Sequence, residues 1–467
     1  MKIRVRLLAI LLPVLLSVSA LAAPATMRLD YYHTGDATHE VFSQDRVVIE
    51  PLPWPGNPRH PIDDSNTGKY LFEVRDRATN RILYSRGFSS IYGEWETTDE
   101  AKHMHRTFQE SLRFPAPEAP VQVILKKRAP DNSFVEVWST VVDPKDKFVD
   151  TSHSPAPAPL ITIEKNGDSS DKVDFLILGD GYTAAENGKC QSDAHRLTTI
   201  LFATSPFKEH RKDFNVWLLC PPAAESGISR PSTGIHHHTP VGSTYDAFDS
   251  ERYILTFDNR AFRDIAQFAP YEFVEILANG KTYGGGGIFG LYSTVAADSL
   301  WAPYIFVHEF GHHFADLADE YYTSDVSYLP PGERVEPYMP NVTALLDPDH
   351  LKWKDLVEAG TPIPTPWNKE KFEAYSQEIQ KRRRQLRKEN RPEQEMDALF
   401  TEEKKHEDEM LAAEKYAGKV GAFEGANYEA KGYYRPQANC IMFTRASDFC
   451  AVCRRAIEHM IGMYTAE

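Results

Sequence analysis

The segment His308-Glu309-Phe310-Gly311-His312 contains the side chains of this sequence that are best suited to catalysis. It places two histidines four residues apart, with a carboxylate beside the first. On a helix, residues four positions apart lie on one face, so both imidazoles can bind the same metal ion. This spacing is typical of zinc hydrolases, in which the glutamate is the general base. The pattern therefore predicts zinc ligands at His308 and His312 and a catalytic base at Glu309.

A catalytic zinc site needs a third protein ligand and an open position for water. Asp319 follows His312 by seven residues, and Glu320 comes next. If the helix ends near residues 316–318, the chain can turn back and bring one of these carboxylates to the metal. We predict Asp319 as the third ligand, with Glu320 as the alternative. Glu309 would then take a proton from water that the metal ion has made more acidic.

The flanking residues favour a buried helix around the two histidines. Asp298 or Ser299 can cap its start, and Pro303 suits its first turn. Apolar side chains recur along the segment at Ile305, Val307, Phe310, Phe314 and Leu317. Burial of these side chains would hold the ligand pair in place.

The stretch from His308 to Tyr321, HEFGHHFADLADEY, resembles the active-site segment of the igalysins, the immunoglobulin-A-peptidase family of metzincin zinc metallopeptidases. Four further blocks resemble the family in the same order, at residues 178–183, 283–288, 421–428 and 434–442. The N-terminal part is similar to the family's accessory domain. The resemblance implies one catalytic Zn²⁺ ion, and it implies that Met442 is a structural methionine turn beneath the metal.

We therefore predict an α+β fold with two domains. An N-terminal antiparallel β-sandwich is followed by a metzincin-like zinc-peptidase domain, which has a twisted sheet, an active-site helix and a helical-hairpin insertion. The predicted boundaries are a signal peptide at residues 1–22, the sandwich at 23–150, a linker at 151–172, the peptidase domain at 173–467 and the charged insertion at 367–417.

Local patterns support this division of the chain. Alternating apolar residues at 70–74, 82–88, 121–125 and 134–142 are typical of half-buried strands. The proline-rich residues 154–159 favour an extended spacer. Apolar runs at 173–178 and 214–219 indicate buried strands of the second domain.

The first 22 residues begin with basic residues, continue in an apolar run and end in Ala-Leu-Ala, which is typical of a signal peptide. An uncleaved N-terminal anchor is the alternative. No later segment has the roughly 18 consecutive apolar residues that a membrane span requires. We expect an exported protein, periplasmic or extracellular, without a stable membrane span. The net charge of −15 argues against nonspecific nucleic-acid binding, which depends on Lys and Arg.

The chain has five cysteines, an odd number that leaves at least one unpaired within the chain. An exported location permits disulfides. The Cys-x-x-Cys at 450–453 suggests a second zinc site or a redox pair. Because only Cys440 is nearby and there is no matching second pair, we predict a structural role near Met442.

Three other segments bear on function. Gly284-Gly285-Gly286-Gly287 lacks the lysine of a phosphate loop, and we predict either a cleft rim where an extended substrate pairs with a strand edge or a flexible turn. His236-His237-His238 is predicted to be a solvated loop that binds metal only adventitiously. The charged residues 367–417, broken at Pro392, predict a helical hairpin that is a solvated excursion, or else gates the cleft or binds a partner.

These observations predict an enzyme that hydrolyses peptide bonds in protein or peptide substrates. A tyrosine could stabilise the oxyanion, with Tyr321, Tyr433 and Tyr434 as candidates. Two other functions use the same scaffold: an inert secreted binding or adhesion module, and a zinc amidase that acts on a non-peptide amide. The presence of Glu309 beside both histidines argues against the inert module, because a non-catalytic metal site needs no base.

Overall fold

The architecture is seen in a computed structural model that describes residues 23–324, 326 and 334–465. The predicted signal peptide at 1–22 lies outside these residues. The described chain is a mixed α+β protein with a β-rich N-terminal region. None of the helices within these ranges combines the length and hydrophobicity needed to cross a membrane.

The N-terminal region contains eight strands and a short helix, α1 (Ile91–Trp95). The strands are β1 (Ala25–Gly35), β2 (Glu40–Pro53), β3 (Tyr70–Asp76), β4 (Ile82–Phe88), β5 (Arg106–Pro115), β6 (Val121–Arg128), β7 (Phe134–Val142) and β8 (Val149–Asp150). They form two four-stranded sheets, in the orders β5-β1-β2-β8 and β4-β3-β6-β7. Apart from β2 and β8, neighbouring strands are antiparallel.

Alternation of apolar side chains explains how the two N-terminal sheets share a core. Successive residues of a strand point to opposite faces. Leu29 and Leu112 of one sheet and Val74 and Val123 of the other are buried in the same hydrophobic cluster. The two sheets therefore bury their apolar faces together.

The rest of the chain is organised around a six-stranded sheet in the order β15-β16-β14-β10-β11-β9. Its strands are β9 (Ile161–Glu164), β10 (Val173–Asp180), β11 (Phe214–Leu219), β14 (Phe273–Ala278), β15 (Gly285–Ile288) and β16 (Tyr292–Ala296). The four central strands are parallel, and the edge strands β9 and β15 are antiparallel to their neighbours. Every residue of β10 and β11 is buried, as expected for parallel strands that are covered on both faces.

Two short strand pairs complete the sheets: β12 (Ser243–Thr244) with β13 (Leu255–Thr256), and β17 (Phe423–Ala426) with β18 (Glu429–Arg435). Strand β9 lies within the predicted linker. Its alternating isoleucines let this segment join the sheet as an edge strand.

Six longer helices accompany the sheet in the described part of the chain: α2 (Asn187–Leu201), α3 (Asn259–Ala266), α4 (Ala302–Ala315), α5 (Lys369–Lys388), α6 (Glu393–Ala412) and α7 (Ala451–Tyr464). Helix α4 packs against β14, β15 and β16, and its Phe306, Phe310 and Phe314 are buried in the main core. A disulfide joins Cys190 of α2 to Cys220, just after β11.

The predicted hairpin at 367–417 is present as α5 and α6, but it is not a solvated excursion. Phe372 and Ile379 of α5 and Leu399 and Phe400 of α6 are buried in the main core. Because charged residues surround these four apolar positions, the sequence pattern did not reveal the narrow buried stripe. Arg383 also reaches the carboxylate of Glu251 at 3.3 Å, so the hairpin is tied to the body of the domain.

Candidate active site

Helix α4 carries both histidines, with His308 buried and His312 half-buried. It begins at Ala302, with Pro303 in the first turn as predicted. The predicted caps are wrong, because the residue that precedes the helix is Trp301 and makes no side-chain cap. The Ser299 hydroxyl instead accepts a hydrogen bond from the Trp301 amide at 3.2 Å. The helix stops at Asp316, whose left-handed backbone (φ 52°) turns the chain back towards the histidines.

Three ligand atoms converge after this turn. The Nε2 atoms of His308 and His312 are 3.2 Å apart. Asp319 Oδ1 lies 3.1 Å from Nε2 of His308 and 3.3 Å from Nε2 of His312. Three ligands bound to one tetrahedral zinc at about 2.0–2.2 Å are roughly 3.3–3.6 Å from each other. The observed triangle therefore has nearly the dimensions that a zinc ion requires.

Hydrogen bonds orient each of the three ligands. His308 Nδ1 donates to the carbonyl oxygen of Ile441 at 2.9 Å, and His312 Nδ1 donates to that of Leu317 at 2.5 Å. Bonds of this kind leave the Nε2 atom of each imidazole free to bind a metal. The Tyr428 hydroxyl donates to Asp319 Oδ2 at 2.6 Å. Asp319 Oδ1 is buried and has no hydrogen-bond partner among the described residues, which fits a metal-binding atom.

The alternative ligand, Glu320, lies elsewhere. Its side chain is fully buried and contacts the sulfur atoms of Cys450 and Cys453 at 3.9 and 3.4 Å. Of the two adjacent carboxylates, only one faces the histidines, with an oxygen within 3.3 Å of both Nε2 atoms. In this structure it is Asp319.

Burial and mutual attraction set the ionisation of the site. Burial raises the pKa of the Glu309 carboxyl, an effect larger than the opposing attraction of the two imidazoles. Burial alone would lower the pKa of His312, but the Asp319 carboxylate raises it to about 9. Although burial disfavours its ionised form, the two imidazoles hold the pKa of Asp319 well below its usual range. The site therefore pairs an ionised Asp319 with a protonated His312, whose proton a cation would displace, and Glu309 is suited to accept a proton.

The next histidine of the helix, His313, is not part of this group. Its Nε2 accepts a hydrogen bond from the Val274 amide at 3.0 Å, and its Nδ1 donates to the carbonyl of Ile288 at 3.0 Å. Burial lowers its pKa to about 3, so the imidazole is neutral. It fastens helix α4 to the sheet.

His308, His312 and Glu309 line a cavity of about 460 Å³. Its walls come from both regions of the chain. The N-terminal region contributes Lys69, Ser89, Gly93, Glu94 and Thr97. The Gly68 amide also donates to Asp316 Oδ2 at 2.6 Å, which holds this wall against the end of helix α4. The N-terminal region is thus part of the site, a role that its sequence pattern did not indicate.

Of the three candidate tyrosines, only Tyr321 lines the cavity. Its hydroxyl oxygen accepts a hydrogen bond from Arg252 at 3.1 Å. The Tyr433 hydroxyl instead accepts from the Val335 amide at 3.3 Å, outside the cavity lining. Tyr428 was not among the predicted site residues, since only tertiary structure brings it to Asp319.

The glycine segment forms edge strand β15 rather than a flexible turn. At Gly285 the strand edge is already paired, because its amide donates to the Arg252 carbonyl at 3.0 Å and its carbonyl accepts from the Ile254 amide at 3.2 Å. Gly285 and Gly287 line the cavity, as expected of a cleft rim, and substrate pairing along the rest of the segment stays a prediction. A substrate strand cannot pair at Gly285 itself. The glycines instead allow helix α4 to approach the strand closely.

We expect Gly287→Ala to disturb the site. A Cβ atom there would overlap the carbonyl oxygen of Glu309 and lie 2.9 Å from the Cβ atom of His312. Helix α4 would have to move, at a cost of about 1–3 kcal/mol in the free energy of unfolding, and kcat should fall. Thermal unfolding and kinetics measure both effects. Gly188→Ala is the control, because a Cβ atom on this helical glycine meets nothing within 4 Å. Wild-type stability and turnover for Gly287→Ala would contradict the close approach.

The segment from His236 to His238 does not contribute to the candidate site. His236 and His238 are exposed, and His237 Nδ1 lies 2.9 Å from Glu225 Oε2. None of the three lines the cavity. This agrees with a solvated loop.

Two models of known protein families match the chain. A family model described as IgA Peptidase M64 matches residues 161–461, which is more than half of the chain. A second model, described as Peptidase M64 N-terminus, matches residues 19–139. A comparison with curated proteins found no match.

Proposed function

The chain belongs to the IgA peptidase M64 family, a metallopeptidase family, and from this we propose that it is a zinc-dependent endopeptidase that cleaves protein substrates. The observation that carries the proposal is the convergence of His308, His312 and Asp319, whose ligand atoms lie 3.1 to 3.3 Å apart. They would hold one zinc ion. That ion, when bound, supplies Lewis acidity that polarises the scissile carbonyl and makes water a stronger acid.

Glu309 has the position and the ionisation of the general base. It lies beside a ligand histidine and lines the cavity, where a substrate carbonyl would bind. Its carboxylate takes the proton from the attacking water. Burial raises the pKa of the carboxyl, which makes it a stronger base than an exposed glutamate. The protonated side chain then delivers this proton to the leaving amine.

We expect Tyr321→Phe to lower kcat by about 10²–10³-fold, the usual effect of removing one oxyanion donor. Because its oxygen accepts from Arg252, the hydroxyl hydrogen is available to the cavity. Burial raises the pKa of the phenol, so the hydroxyl stays protonated and can donate. Tyr433→Phe removes a hydroxyl outside the cavity lining and should leave kcat within a few-fold of wild type. Equal kinetics for the two variants would exclude Tyr321 as the donor.

We propose export to the periplasm or the extracellular space after cleavage of residues 1–22. We also propose the division into a β-sandwich at 23–150, a linker at 151–172 and a metzincin-like peptidase domain at 173–467. Met442 supports that assignment, since its sulfur lies 3.3 Å from where a Cβ atom on Gly311 would be, beneath the ligand helix.

Digestion of a mixed protein pool tests the function. The purified chain should generate new peptide termini, and a zinc chelator should abolish them until zinc is added back. An inert binding module would generate none with or without metal. An amidase specific for non-peptide amides would leave the pool intact but would release amine from an amidated sugar. Mapping the new termini would then define the cleavage specificity.

A further inference from the structure

Three cysteines and one carboxylate meet at a buried point next to the candidate active site. Cys440, Cys450 and Cys453 are free and buried, and Glu320 lies among them. One ligand atom from each of the four residues lies within 4.8 Å of all the others. The four residues come from three separate parts of the chain, so the cluster is a product of the fold.

The distances within this cluster suit a tetrahedral metal ion. The sulfur atoms of Cys440 and Cys453 are 3.8 Å apart. Two thiolates on one zinc at about 2.3 Å are roughly 3.8 Å from each other. Glu320 Oε1 lies 3.4 Å from the sulfur of Cys453 and 3.9 Å from that of Cys450, against roughly 3.5 Å for a thiolate and a carboxylate oxygen on one zinc. A disulfide would need sulfur atoms about 2.0 Å apart.

The carboxylate of Glu320 can accept a further bond within the cluster. The side chain is fully buried. Oε1 accepts a hydrogen bond from Asn341 at 3.0 Å, but Oε2 has no partner among the described residues. A carboxylate in such a place is costly unless it is paired with a cation or bound to a metal. Its position against three sulfur atoms points to a cation at their centre.

Backbone amides donate to two of the three sulfur atoms, those of Cys440 and Cys450, and stabilise their thiolate form. The Cys450 amide donates to the sulfur of Cys440 at 3.2 Å, and the Cys453 amide donates to the sulfur of Cys450 at 3.4 Å. Cys450 is also the residue that caps helix α7, where the helix dipole stabilises negative charge. The arrangement therefore prepares the sulfur atoms to bind a metal.

We propose that Cys440, Cys450, Cys453 and Glu320 form a second, structural zinc site. Soft thiolates select zinc over calcium or magnesium, and four protein ligands leave no open position for catalysis. On binding, each thiol releases its proton and no oxidation occurs. The buried guanidinium of Arg435 interacts with Glu320 and Cys440 and offsets part of the remaining negative charge.

The second site would hold together the segments that build the first. Glu320 adjoins the ligand Asp319, and its amide donates to the carbonyl of Met442 at 2.8 Å. Cys440 adjoins Ile441, whose carbonyl orients His308. A zinc ion at the cluster would therefore fix the relative position of two catalytic ligands.

Metal analysis of the purified full chain tests this proposal. We expect two zinc ions per wild-type chain. The double variant His308→Ala/His312→Ala should retain one, and Cys450→Ser/Cys453→Ser should retain the other. Replacement of zinc by cobalt should give thiolate-to-metal charge-transfer absorption in the wild type and in the histidine variant, but none in the cysteine variant. Absorption in the first two proteins is decisive even if the cysteine variant does not fold.

The exposed histidine loop supplies a control. His236→Ala/His238→Ala removes side chains that could bind zinc adventitiously, and it should leave both zinc ions in place. The proposal is overturned if cobalt gives no thiolate absorption in wild-type protein. It is equally overturned if unfolded protein, without reductant, shows one free thiol instead of three, because two of the cysteines would then be oxidised.

These results separate this proposal from the proposed function. If the histidine site bound no zinc, wild-type protein would contain one ion with thiolate absorption. That outcome would support the cysteine site and refute the zinc peptidase.

Discussion

Glu309→Gln is expected to lower kcat by roughly 10²–10⁴-fold, the usual contribution of a general base. Glutamine has nearly the same shape but cannot accept the proton from water. The ligands His308, His312 and Asp319 are unchanged, so the zinc content should match that of the wild type. Single-turnover kinetics together with metal analysis would measure both properties on the same preparation.

Glu429→Gln is the matched control for this experiment. It makes the same chemical change elsewhere in the wall of the cavity. We expect kcat within a few-fold of the wild-type value. Normal turnover by Glu309→Gln would show that another group moves the proton.

Asp319→Asn is expected to remove most of the affinity for the catalytic zinc, and activity with it. An amide oxygen is neutral and binds zinc less strongly than the carboxylate, which also attracts the ion electrostatically. The loss should exceed the 10–100-fold decrease in affinity that is typical when a hydrogen-bond partner of a ligand is removed. Tyr428→Phe, which removes such a partner of Asp319, supplies that comparison. Competition with a fluorescent chelator would measure all the affinities.

Burial raises the pKa of Asp316 to about 7, so Asp316→Asn controls for a change of charge in the same cavity when the affinity is measured above that pH. Asparagine tolerates the left-handed backbone of this residue and can still accept the hydrogen bond from Gly68. We expect wild-type zinc affinity. If Asp319→Asn also bound zinc normally, the third ligand would have to be another residue.

The parts of the site that lie close together in the chain could be predicted from local sequence alone. His308 and His312 are one helical turn apart, and Asp319 follows within a short loop. Helical periodicity and a nearby turn therefore predicted the group that the structure brings together. The buried strands at 173–178 and 214–219 were also predictable, because continuous apolar runs of that length suit a parallel sheet.

The remaining features depend on contacts between residues that are far apart in sequence. Tyr428 reaches Asp319, and Ile441 reaches His308, across more than 100 residues. The periodicity of apolar residues along the sequence does not reveal contacts between such distant residues. The role of Glu320 was hidden for the same reason, because its three cysteine partners lie at least 120 residues later in the chain.

Residues of the N-terminal region and of the rest of the chain together form the wall of the cavity, so neither region contains the whole site. Proteolysis within the proline-rich segment 154–159, followed by dissociation, would not release a complete peptidase, because Lys69, Ser89 and Gly93 would leave with the N-terminal fragment. Replacement of the N-terminal region by gene fusion would likewise remove part of the cavity wall. Changes in the shape of this cavity can therefore arise from substitutions in either region of the chain.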